Sequence, residues 1–228
     1  MITGLPRRRR ARIERAPSPP RSAPSAAASR AAGGLARVEA WFAERGWQVH
    51  AFQRDAWRRY AAGESGLVNS PTGSGKTLAA WLGPVIEALD AMAASTARPL
   101  PAPVGELRRT NEAEVPTPRV PGSTTPIAGP RVLWITPLRA LASDLRGNLQ
   151  SSADALGLPW RVDLRTGDTA SSVRVRQRER PPHALVTTPE SLSVLLSYPE
   201  TGAWLADVRA VVVDEWHELL GTKRGVQL

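Results

Sequence analysis

Residues Ser70 to Thr77 read SPTGSGKT, and they stand between a short apolar run, Gly66 to Asn69, and a largely apolar stretch from Thr77 to Met92. In that order the three pieces predict a buried strand, a tight glycine-rich loop and a helix opening on the loop. The constraint is strong, because a strand that is apolar on both faces needs helices on both faces, which calls for repeated strand–helix units and a mainly parallel sheet. The rest of the chain supplies those units. Apolar runs at Val132 to Thr136, Ala184 to Thr187 and Val208 to Val213 read as buried strands, and Trp160 to Arg165 alternates like a strand. Helical patterns lie between them at Leu138 to Ala155, Ala170 to Arg180 and Pro189 to Leu196.

Two helices are predicted ahead of the loop, Leu35 to Arg45 and Ala51 to Ala62, closed by Gly46 and Gly63. Met1 to Gly34 has almost nothing to bury and carries eight arginines against the single Glu14, which is most of the formal net charge of +9. It reads as a disordered basic arm, either a leader without a role or a segment with unspecific attraction for phosphates. Ser95 to Pro130 is proline-rich without apolar periodicity and reads as a looped-out insertion, a plain spacer or a polyproline segment for a partner. The expected organisation is one domain over 35–228, with an arm at 1–34 and an insertion at 95–130. With no cysteine, disulfides and Cys-based zinc sites are excluded, and the three histidines lack ligand spacing. No apolar run approaches the length that spans a bilayer, so no membrane is expected and a cytoplasmic, nucleoid-associated location is.

A loop that wraps a polyphosphate brings backbone N–H groups close to oxygen, where side chains would collide; hence Gly73 and Gly75. Ser70, Pro71, Thr72, Gly73, Ser74, Gly75, Lys76 and Thr77 form the candidate ATP-binding loop, with Lys76 toward the β and γ phosphates and the Thr77 hydroxyl toward Mg2+. Ser70 stands where the strict pattern has glycine. The complement is a carboxylate at the end of a buried strand. Asp214 follows three valines and is the second candidate metal residue, while Glu215 is placed to orient or deprotonate an attacking water. Trp81, Trp134, Trp160 and Trp204 lie in apolar elements and are expected in the core.

Taken together, Gln53, SPTGSGKT, TPLRALASDL (Thr136 to Leu145), RTGD (Arg165 to Asp168), TTPESL (Thr187 to Leu192) and DEWH (Asp214 to His217) resemble the first RecA-like domain of superfamily 2 DExH helicases. More narrowly, WITPLRALASDL, VTTPESLSVLLS and VVVDEWHELLGTKRGVQL resemble the large-helicase-related family, in its ligase-associated DNA-repair branch. The resemblance implies a RecA-like P-loop NTPase domain, here incomplete at its C-terminus, and an ATP-dependent DNA helicase or translocase. It implies that Gln53 contacts adenine, a solvated helix glutamine being the alternative, and that His217 couples nucleotide state to a second RecA-like domain. It also implies that Pro137, Leu138, Arg139, Thr166, Gly167, Thr188, Pro189 and Glu190 contact single-stranded or tailed DNA, with a DNA ligase and its associated nuclease as further partners. Without the second domain and its arginine finger, the chain alone is expected to hydrolyse ATP very slowly. An RNA-directed helicase and a non-hydrolysing nucleotide-gated clamp stay open at this stage.

Overall fold

The structure, a computed structural model, describes residues 33–97 and 129–219. Three helices come first, α1 (Gly34–Glu44), α2 (Ala51–Ala61) and α3 (Lys76–Ala97). Strands and helices then alternate as β1 (Val132–Ile135), α4 (Arg139–Ala155), β2 (Val162–Arg165), α5 (Ser171–Glu179), β3 (Ala184–Thr187), α6 (Pro189–Leu196), α7 (Thr201–Leu205) and β4 (Ala210–Val213), followed by a 3-10 turn at Trp216–Glu218. The sheet order is β2-β3-β1-β4 and every pairing is parallel. Val132 lies opposite both Ala184 and Ala210, and Val162 opposite Ala184, so the four strands end level with one another. Loops that leave the strand C-termini are thereby gathered along a single edge.

Alternation along each strand builds two cores. On one face Val132, Trp134, Val162 and Val186 pack against Trp57, Trp81, Leu82 and Val85 of α2 and α3, with Val38 of α1 and Leu149 of α4. On the other, Leu133, Ile135 and Leu185 meet Leu192 and Leu195 of α6 and Trp204 of α7. Helices therefore cover both faces, as the strand–helix pattern predicts. Local chemistry sets the helix starts: Pro189 opens α6 directly after Thr188, whose hydroxyl accepts the Ser191 N–H. The four tryptophans expected in the core are all buried, and Trp81 and Trp204 donate to Ser152 Oγ and the Gln177 carbonyl.

Four expectations need correction. Gly66 to Asn69 forms no strand and is largely exposed, with Leu67 at 66%; a strand exists only with a ladder partner, and β4 is paired on one side only, to β1. β4 is half-buried rather than fully buried: Val211 and Val213, opposite Leu133 and Ile135, are exposed and do not join the cluster that those two form with α6 and α7. Helix α3 runs on to Ala97, so Ser95 to Ala97 belong to it and not to the insertion. That helix is also long and apolar enough, over Lys76–Thr96, to cross a membrane by length and composition; its apolar side, Trp81, Leu82, Val85 and Leu89, is packed in the core instead. At the far end of the insertion, the Gly129 N–H donates to Asp207 Oδ2 at 3.0 Å. The basic arm up to residue 32 and the proline-rich segment 98–128 lie outside the described residues.

Candidate nucleotide and nucleic-acid site

Gly73 and Gly75 hold φ of 78° and 89°, a left-handed backbone that residues with a Cβ rarely adopt. At Gly75 space is lacking too, because a Cβ there would lie 2.6 Å from Gln53 Nε2. The two glycines turn the loop onto the N-terminus of α3, whose first unpaired N–H groups and positive dipole end favour an anion. Lys76 Nζ donates to the Ser70 carbonyl at 2.8 Å, and the Ser70 and Ser74 hydroxyls lie 2.6 Å apart. The ammonium is thus folded back across the loop. Pro71, Thr72 and Gly73 are exposed, while Ser74 to Thr77 are half-buried.

Asp214 directly follows β4, and its N–H donates to the Ile135 carbonyl at 2.8 Å, continuing the ladder. Burial pushes its half-buried carboxyl above the ordinary carboxylate range, and the charge of Glu215 pushes the same way. The Trp134 indole, the Glu215 N–H and the Lys76 ammonium pull against this rise. Lys76 and Asp214, 138 positions apart in the sequence, are therefore within electrostatic reach of each other. The Glu215 N–H lies 3.1 Å from Asp214 Oδ1. Glu215 itself has φ 45° and ψ 42°, a left-handed conformation that costs a residue of its type on the order of 1–3 kcal/mol. His217 sits between two acids, Nδ1 at 3.5 Å from Glu215 Oε2 and Nε2 at 3.4 Å from Glu218 Oε1.

The Thr77 hydroxyl and the Asp214 carboxylate are hard oxygen donors, and no group of three or more His, Asp or Glu able to hold a metal occurs among the described residues. A donor set of that kind suits Mg2+, which keeps several waters and binds through one or two protein oxygens plus phosphate. Gln53 is 2% exposed and both ends of its amide are engaged: Oε1 accepts the His50 N–H at 2.9 Å and Nε2 donates to the Gly75 carbonyl at 3.2 Å. The structure therefore places it as a strut between the start of α2 and the loop.

The remaining candidate residues lie along the same sheet edge in strand order. Thr166 and Gly167 follow β2, Thr188 to Glu190 follow β3, and Pro137 to Arg139 follow β1, next to Asp214 beyond β4. At the usual strand spacing the row is about 14 Å long. Leu138, Arg139 and Gly167 are exposed, Glu190 is half-buried, and Pro137, Thr166, Thr188 and Pro189 are buried. The Arg139 guanidinium lies over Gly167, 3.4 Å from where a Cβ would stand. Two residues escape a reading of the sequence. Arg174 of α5 donates to the carbonyls of Thr166 at 3.2 Å and Gly167 at 2.5 Å, pinning that loop from beneath. Trp134 lies under Asp214, and its N–H favours the charged carboxylate without making a hydrogen bond of ordinary geometry. A run of similar arginines hides the first, and an apolar strand hides the second.

A family model described as DEAD/DEAH box helicase matches residues 50–228. The chain is 36% identical over 200 residues to the ATP-dependent helicase Lhr-Core of Methanothermobacter thermautotrophicus, covering 84% of this chain and 20% of that protein. It is also 36% identical over 200 residues to the Lhr helicase/probable uracil glycosylase of Mycolicibacterium smegmatis, covering 81% of this chain and 11% of that one. Among solved structures, Mycobacterium smegmatis helicase Lhr bound to ssDNA and AMP-PNP superposes with a TM-score of 0.62 at 32% identity, over 86% of this chain and 22% of the other. The chain thus spans about a fifth or less of the length of these curated relatives.

Proposed function

The chain belongs to the DEAD/DEAH box helicase family, and from that premise we propose that it is the ATP- and DNA-binding first motor domain of an ATP-dependent DNA helicase or translocase of DNA repair. The observation that carries this reading is the placement of Asp214 at the C-terminal edge of the parallel sheet, on the face covered by the helix that Lys76 heads, with Gly73 and Gly75 shaping the loop that leads into that helix. In the proposed reaction the loop amides and Lys76 hold the β and γ phosphates, releasing Lys76 from the Ser70 carbonyl. Thr77 and Asp214 hold the magnesium ion, which when bound neutralises charge on the phosphate oxygens. Glu215 takes a proton from the attacking water while the bond from the γ phosphorus to the ADP oxygen breaks, leaving ADP and inorganic phosphate.

His217 relays the nucleotide state to a second RecA-like domain, which also supplies an arginine to the transferring phosphoryl group. Arg139, Leu138 and Gly167 grip one DNA strand through its backbone, without regard to sequence. The likeness to an Lhr structure holding ssDNA and AMP-PNP supports DNA as the partner. The test is equilibrium binding of a fluorescent ATP analogue to the 228-residue chain with Mg2+ or with EDTA, followed by titration of oligo(dT) and oligo(U). Saturable, magnesium-dependent nucleotide binding and preference for oligo(dT) are expected. Absence of nucleotide binding overturns the motor assignment, and preference for oligo(U) overturns DNA.

A further inference from the structure

Trp134 sits in β1, paired with Val186 of β3 on one side and Val212 of β4 on the other. Paired residues in a parallel ladder point to the same face, and so does the residue two further along a strand. Asp214, two beyond Val212 and still hydrogen-bonded to β1 through its N–H, therefore shares the face of Trp134. Helix α3, headed by Lys76, covers that face. The indole is 1% exposed and its Nε1–H has no hydrogen-bond partner, whereas Trp57, Trp81 and Trp204 each place theirs on an acceptor. Trp41 shares the deficiency, but it lies in α1 beneath the Arg45 guanidinium, with no reacting group assigned beside it.

A buried donor without an acceptor costs stability, and in a folded protein it calls for an explanation. Next to Trp134 an acceptor is at hand, since the Asp214 carboxylate stands on the same face, two residues beyond the ladder partner Val212. Metal-binding side chains are held in orientation by such neighbouring donors and bind their ion more weakly without them. Resting on the nucleotide reading above, we propose that Trp134 is a positioning residue whose indole N–H closes onto the Asp214 carboxylate when magnesium and nucleotide bind. The Glu215 N–H already approaches Oδ1. Indole and amide together hold the carboxylate from two directions and leave its other lone pairs for the cation.

The experiment uses the full chain as wild type, Trp134→Phe, Asp214→Asn and the double variant. Indole 15N–1H resonances are recorded with and without Mg2+ and AMP-PNP, the Trp134 signal being the one lost in Trp134→Phe. Binding of a fluorescent ATP analogue is measured against Mg2+ concentration and in EDTA. The Trp134 signal is expected to move downfield with Mg2+ and nucleotide in wild type but not in Asp214→Asn. Trp134→Phe is expected to raise the Mg2+ concentration for half-maximal binding about tenfold, to leave binding in EDTA unchanged, and to add nothing in the Asp214→Asn background. An unmoved signal, an unchanged Mg2+ requirement, or an equal loss with and without Asp214 overturns the proposal and leaves Trp134 a core filler. If Trp134→Phe fails to fold, the Trp134 signal is assigned by Trp134→Tyr, and its response in wild type and Asp214→Asn decides. Failure of wild type to bind nucleotide is a separate result that overturns the site itself.

Discussion

The Lys76 ammonium has the Ser70 carbonyl as an acceptor at 2.8 Å and the half-buried Asp214 carboxylate within electrostatic reach. Neither contact belongs to the hydrophobic core, so Lys76→Ala is expected to leave the thermal melt nearly unchanged while lowering nucleotide affinity at least 100-fold, roughly the loss of a fully used charged contact. Fluorescent-analogue titration beside a circular-dichroism melt separates the two effects. Asp214 behaves oppositely. Its folded pKa is raised, with burial as the largest cause, so above that pKa the fold carries the cost of a buried charge that the unfolded chain does not. As pH falls through the raised value the folded state takes up its proton first, and the cost is relieved. Asp214→Asn is therefore expected to raise Tm at neutral pH, by about 2–4 °C for each kcal/mol recovered, and to raise the Mg2+ concentration that nucleotide binding requires. The Tm gain over wild type should shrink as the pH is lowered below the folded pKa; a variant melting below wild type at neutral pH contradicts this account.

Among the elements, the loop after β2 shows how a candidate contact edge is held by a neighbouring helix. Arg174, one turn into α5, donates to the Thr166 and Gly167 carbonyls, and the Thr166 N–H in turn donates to Thr169 Oγ1 at 2.9 Å. Arg174→Met keeps the aliphatic stem and removes both hydrogen bonds. It is expected to weaken oligo(dT) binding about tenfold, in line with the 1.5–3 kcal/mol of a charge-assisted hydrogen bond, while nucleotide affinity stays within twofold. Nothing in the sequence distinguishes Arg174 from Arg176, Arg178 and Arg180, since the acceptors lie in another element. By contrast, the loop, the acids after β4 and nearly every helix were legible, because glycines, a β-branched run and a period of 3.6 residues are local signals. Pairing is not local. Gly66 to Asn69 has the composition of a strand but enters no ladder, although the outer edge of β4 is open, and Val211 and Val213 lie on a face of β4 that is left exposed. Gln53 shows a limit of a different kind: its residue type was legible, but its ties to His50 and Gly75 depend on how α2 meets the loop.

For the molecule as a whole the open quantity is how its charge is divided between arm and edge. Eight arginines against one glutamate within the first 30 residues give a surplus of seven out of a formal net charge of +9, so that segment dominates unspecific attraction for any polyanion. The folded edge offers Arg139, exposed beside Gly167, in a row that ends at the candidate nucleotide site. These two sources of affinity respond differently to salt and to nucleotide. Each phosphate neutralised on a single strand contributes about 0.7 to the slope of log affinity against log salt, so removing residues 1–32 is expected to flatten that slope by up to about 5. It is not expected to change the factor by which AMP-PNP strengthens oligo(dT) binding, because on the proposed function that coupling passes between Asp214 and the loops after β1, β2 and β3, and linkage makes it reciprocal. Fluorescence anisotropy over a range of salt concentrations, with and without AMP-PNP, reads both quantities on one pair of proteins. A nucleotide effect that vanishes with the arm would place the DNA grip in those arginines and deny it to the sheet edge.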